Sequence, residues 1–200
     1  MEYFDVATSA VERAAADAYS LCNDPNWEEL GEIEDCFCSR KQTDSGIFMT
    51  KSVGVIRKSP QEIRDLLWTY NRKKEWDESL DHIYVVHQFS DDFRILYQRF
   101  TAPWPVSYRD FVFATKYMDT PEGILLIGQS VNAGVAEVQG VVRGEVLTSA
   151  YFLKKLNDTN TEVTYMAGVD PKGSIPTFVV NAVGKKQCLI VSKLRNVIGG

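Results

Sequence analysis

The stretch D-P-K-G-S-I-P-T-F-V-V-N-A-V-G-K-K-Q, Asp170 to Gln187, decides how this chain folds. A turn delivers the chain into a segment with Pro176 near its start, and apolar residues then recur at helical spacing. They are Ile175, Phe178, Val179, Ala182 and Val183, continued by Leu189, Ile190, Leu194 and Val197. The pattern predicts a last helix of about 24 residues, about 36 Å long at the standard rise. So long a stripe needs a large apolar partner.

The partner lies upstream. Six strand-like runs, from His82–Phe89 through Phe93–Phe100, Arg109–Tyr117, Ile124–Val131, Glu145–Leu153 and Thr161–Val169, are separated by D-D, W-P-V-S, T-P-E-G and N-D-T-N turns. Before them, residues 2–21 carry one apolar face (Phe4, Ala7, Val11, Ala14, Ala15, Ala18, Leu21), and P-N-W-E-E-L at Pro25–Leu30 suggests a short helical piece. Ile47 to Arg57 has period two, with Ile47, Met49, Val53 and Val55 opposite Thr50 and Ser52. S-P-Q-E then opens a helix: Ser59 as N-cap, Pro60 first, Glu62 closing a capping box, with Ile63, Leu66, Leu67 and Tyr70 as the apolar face.

The expected fold is α+β, a single domain over residues 1–200. An antiparallel sheet this long must twist and curl, and the last helix covers its concave face. The space between them is either a filled core or a ligand cavity.

Composition narrows the function. A net charge of −5 argues against a nucleic-acid partner, which needs a concentrated basic face. Four cysteines (Cys22, Cys36, Cys38, Cys188) form no C-x-x-C pair and only two histidines exist, so no Cys/His metal site is expected. Reduced thiols and the absence of a leader-like start point to a cytoplasmic, monomeric domain. His82 and His87, five apart on one strand, are expected on opposite faces.

Four stretches carry more. W-D (Trp76, Asp77), P-W-P-V-S-Y-R-D-F-V (Pro103–Val112), V-V-R-G-E (Val141–Glu145) and D-P-K-G-S-I-P-T-F-V-V-N (Asp170–Asn181), in this order and spacing, resemble the START family of lipid-binding domains. The resemblance runs from about Trp27 to the C-terminus. It implies a helix-grip fold, a curved antiparallel sheet gripping the C-terminal helix around a hydrophobic tunnel for one lipid. It implies lipid transfer or sensing without a cofactor. The motifs themselves read mainly as frame: Trp76 as core, Gly173 as a turn, Arg109 and Asp110 as an ion pair.

The same resemblance points to ligand-reading positions. Lys73 and Asp77 stand where phospholipid and ceramide binders carry an arginine four residues before an acid, and Lys73 lacks the bidentate fork. Gln98 falls where ceramide-type members carry a glutamine. Gln98, Phe111 and Leu147 occupy the aromatic-cage positions of phosphatidylcholine binders, where a single aromatic cannot surround a quaternary ammonium. Thr115 replaces the arginine of sterol binders. Arg143 is either a strand charge or a head-group ligand. Phe178, Val179, Ala182 and Val183 are expected to line the tunnel. The Ser130–Gly140 loop, with Val135 at its tip, is either a plain connection or a gate that parts from the last helix on a bilayer, aided by Lys172, Lys185 and Lys186. The ligand is therefore a phospholipid, ceramide or sterol, the first two favoured, with transient membrane-surface contact. A hydrolase or cyclase of the wider Bet v 1-like group and a lid-closing receptor are the alternatives.

Overall fold

The structure, a computed structural model, describes residues 2–199; the side chains of Thr177, Phe178, Val180 and Asn181 lie outside the described residues. The chain runs α1 (Phe4–Cys22), β1 (Glu28–Ile33), β2 (Cys36–Gln42), β3 (Phe48–Ile56) and α2 (Pro60–Trp68). A 3-10 turn (Tyr70–Glu75) leads into β4 (Leu80–Ser90), β5 (Phe93–Phe100), β6 (Tyr108–Thr120) and β7 (Gly123–Ser130). Then come β8 (Val141–Arg143), β9 (Glu145–Lys155), β10 (Thr161–Asp170), α3 (Thr177–Cys188) and α4 (Ile190–Ile198). One curved sheet results, in the order β1-β2-β3-β10-β9-β7-β6-β5-β4, every neighbour antiparallel, with β8 adding a short parallel pairing to β6.

Period-two alternation gives the sheet two covered faces. Ile95, Tyr97, Leu125, Ile127, Ala150 and Met166 point to α1, whose contact stripe is Ala7, Ala10, Val11, Ala14 and Ala18. Those small side chains let the helix approach closely, and large sheet residues fill the gap. Ile124, Leu126, Leu153, Val163 and Tyr165 point the other way, toward Ile63 and Leu66 of α2 and Ile190, Val191 and Leu194 of α4. The capping box forms as its residues require: the Ser59 hydroxyl accepts from the Glu62 N–H at 3.3 Å, and the Glu62 carboxylate accepts from the Ser59 N–H at 3.0 Å.

Three expectations change, and β3 adds a detail. Pro25–Leu30 is no helix: Glu28–Ile33 pairs with β2 as an edge strand, bulged at Gly31, because pairing to a neighbouring strand outweighs a short local helical preference. On β3 the expected alternation holds: Thr50, Ser52 and Ile56 are buried on one face and Met49 on the other, while Val53 and Val55 are partly or well exposed. A helix end meets the first face: Ser52 Oγ donates to the Cys188 carbonyl at 2.8 Å, and Cys38 Sγ lies 3.6 Å from it. At that point the single long helix divides, α3 ending and α4 beginning around Leu189, with no glycine or proline between Lys185 and Ile198 to announce it. Finally, His82 and His87 share a face. A bulge between Val85 and His87 shifts the phase, so they pair with Arg99 and Ile95, which are four apart on β5.

Candidate functional site

On the inner face a cavity of about 630 Å³ opens between the sheet, α2, the turn before α3, and α3 itself. The register of β5 and β6 builds one wall rung by rung: Arg94 beside Thr115, Leu96 beside Phe113, Gln98 beside Phe111, Phe100 beside Arg109. Leu126, Val169, Ile175, Val179 and Ile190 extend it in carbon. The segment from Trp68 to Asp77 forms the polar wall.

Of the residues picked from sequence, Lys73, Asp77, Gln98, Phe111, Val179, Ala182 and Val183 all border this cavity. Lys73 Nζ lies 3.9 Å from the Asp77 carboxylate, and both side chains are about four-fifths buried rather than solvated. Asp77 also accepts from Ser79 Oγ at 2.6 Å. Gln98 is only 7 % exposed. Phe111 meets Phe100 edge-on at 5.8 Å. The side chain of Phe178 lies outside the described residues.

Two picks stand elsewhere. Arg143 is not in the cavity wall; its guanidinium clamps buried Asp110 at 2.7 and 3.1 Å and donates to the Val135 and Ala136 carbonyls at 3.4 and 3.3 Å. Val135 packs with the α1 cluster, on the opposite face of the sheet. The loop is thus strapped toward α1, and a Cβ on Gly134 would come within 2.4 Å of the Tyr3 hydroxyl. Leu147 faces a separate groove beside α1. The expected Arg109–Asp110 pair is also replaced: adjacent strand residues point to opposite faces. Arg109 instead braces the turn before α3 through the Pro171 and Lys172 carbonyls at 3.1 and 3.2 Å, and through that of Ser107.

The family model of the START domain matches residues 10–195. The chain belongs to the START family. Its relatives by sequence include human START domain-containing protein 10, 23 % identical over 122 residues (60 % of this chain, 42 % of that protein), and human ceramide transfer protein, 23 % identical over 187 residues (82 % and 31 %). The chain therefore spans less than half the length of these curated relatives. Its fold is that of human StAR-related lipid transfer protein 5, with a TM-score of 0.88 at 18 % identity, covering 98 % of this chain and 97 % of that one. START domains are lipid-binding and lipid-transfer modules, and this chain falls in that class. Among its described residues no helix is long and apolar enough to cross a membrane.

In this START domain the sequence reading missed Arg94, although period two from Gln98 would have found it: Arg94, Leu96, Gln98 and Phe100 alternate on one face. Arg94 is 5 % exposed. Its guanidinium lies over the Trp68 ring at 3.8 Å and near the Tyr70 ring at 5.2 Å, and Nη2 donates to the Trp68 carbonyl at 2.6 Å. Burial pulls its pKa down to about 10, so it stays cationic at neutral pH. Trp76 is 2 % exposed, as a core residue should be, but it also borders the cavity, with an indole N–H that meets no acceptor among the described residues. The Tyr151 and Tyr165 rings meet at a tilt with centroids 4.7 Å apart in the same wall, and burial, with Asp77 nearby, raises both phenols.

Proposed function

We propose that this START domain is a non-enzymatic carrier or sensor that holds one polar-headed, acyl-chain lipid, of phospholipid or ceramide type, in the inner cavity. One observation carries the reading: a mostly carbon-walled space of about 630 Å³, within the usual range of about 300–1,000 Å³ for ligand sites, bordered by the polar side chains of Lys73, Asp77 and Gln98. Lys73, Asp77 and Gln98 are the head-group residues; Phe111, Val179, Ala182 and Val183 serve the chains. Free sterol suits this wall less, since a lone hydroxyl leaves most of its donors and acceptors unmatched.

The wall offers little for catalysis. Tyr151 and Tyr165 are held as phenols by burial, and Lys73 is spent on Asp77. We further propose a cytoplasmic monomer that touches membranes transiently. Trp104, 91 % exposed between Pro103 and Pro105 at the cavity rim, and Val183, 48 % exposed on α3, are suited to an interface.

The test is native mass spectrometry of the purified chain together with transfer of fluorescent phospholipid, ceramide and sterol between vesicles. One bound lipid per chain is expected, with phospholipid or ceramide moved faster than sterol. A chain that retains no lipid and moves none of the three is no carrier.

A further inference from the structure

Arg94 poses a physical problem. Among the described residues no carboxylate lies within 4.0 Å of it, and of its five N–H donors the protein engages one, with Nε buried and without a partner. A cation removed from water is costly unless paired. Two aromatic faces soften that cost without supplying a hydrogen-bond acceptor. Trp76 repeats the pattern in the same cavity, a buried donor without an acceptor. The charges agree: four basic side chains (Lys73, Arg94, Arg109, Lys186) and one acid (Asp77) border the cavity of a chain whose net charge is −5. Asp77 is engaged by Lys73, so it leaves Arg94 uncompensated.

We infer that the lipid carried here is anionic, and that Arg94 binds its carboxylate or phosphate against the wall made by Trp68 and Tyr70. The guanidinium fork matches either oxyanion bidentately. Arg94 stands directly across from Thr115 on the neighbouring strand, so the charge enters the cavity from β5, four residues from Gln98. This inference rests on the lipid-carrying reading and narrows it: a neutral ceramide would leave the guanidinium unpaired.

The test uses three ligands of equal chain length: palmitate, palmitoyl lysophosphatidate and hexadecanol. Each is titrated into the purified chain at about pH 8, where both acids are ionised, and followed by calorimetry. The two anions are expected to bind about tenfold or more tightly than the alcohol, as one charge-assisted contact allows. Arg94→Gln should cut that margin to about twofold and Arg94→Lys should keep part of it, because charge survives without the fork. Arg94→Met guards against a folding artefact: the ligand-free variant should melt no lower than wild type, since it loses an unpaired buried charge. A large drop in melting temperature would make Arg94 a brace for the Trp68 carbonyl and overturn the inference. So would an anion preference that is absent in wild type or persists in Arg94→Gln. Displacement of lysophosphatidate by an equal concentration of inorganic phosphate would overturn the lipid-borne source of the anion. If none of the three ligands binds, the lipid-carrying reading itself fails, and this one with it.

Discussion

Neighbouring residues on β5 meet two different interiors. Ile95 faces α1 and is fully buried among Phe93, Tyr97, Ala114 and Met166; Leu96 faces the cavity beside Phe113. The strands are shared, so the difference comes from what covers each face. On one side a helix with an alanine stripe settles into the sheet and large side chains fill the remaining space. On the other, α2, α3 and α4 cover the edges of a concave surface and stand off its middle. One sheet thus makes both a solid core and a container.

The largest expected effect separates the two directly. Ile95→Ala should lose about 2–5 kcal/mol of unfolding free energy in denaturant titration, the range for deleting a close-packed side chain. Leu96→Ala should lose less than half as much, because it enlarges space that already exists, while weakening lipid binding. Equal losses would break the contrast.

Overpacking gives the next test. Ala14→Leu, at a position with no exposed surface, should cost about 1–3 kcal/mol. Ala182→Leu extends into the cavity from an exposed helix position; its melting temperature should hardly move while lipid uptake falls. If Ala182→Leu is the more destabilising, α3 sits tighter on the sheet than the cavity suggests.

The anchor between helix and sheet ranks third. Ser52→Ala removes the donor to the Cys188 carbonyl and should cost about 1–2 kcal/mol. Amide exchange should quicken around Leu189 and stay unchanged in α1. Uniform quickening would mean that the α3–α4 junction is not separately held.

Smallest is Lys73→Met, which breaks a long pair at 3.9 Å but leaves Asp77 its Ser79 hydroxyl donor, so stability should fall by about 1 kcal/mol. Its effect belongs to the ligand: in vesicle transfer the variant should lose selectivity between head groups before it loses rate.

Much of this was legible in the sequence. The strand runs, the α1 stripe and the Ser59 capping box are local patterns whose period alone assigns them. The motif at Asp170–Asn181 located the turn and the cavity-lining helix, while Lys73, Asp77 and Gln98 came from what the resemblance to the START family implies rather than from any local pattern. Arg94 was within reach too, because Gln98 fixes the inward phase of β5 and four residues preserve it. The bulge at Val86 was not, since a bulge leaves no mark when both neighbours are β-branched or aromatic, and it carried His87 to the face of His82.

The sequence by itself determined α1, α2, β3 and the long strands from β4 onward, and that an apolar helical stripe must meet a long antiparallel sheet; these follow from side-chain period and burial. Only the tertiary structure decided which face of each strand is inside, and which charge keeps its partner. Ser52 points inward and donates to the carbonyl at a helix end, Asp110 took Arg143 rather than its chain neighbour, and Arg94 was left without a carboxylate. Those outcomes depend on groups far apart along the chain competing for one buried position, and no local pattern records who wins.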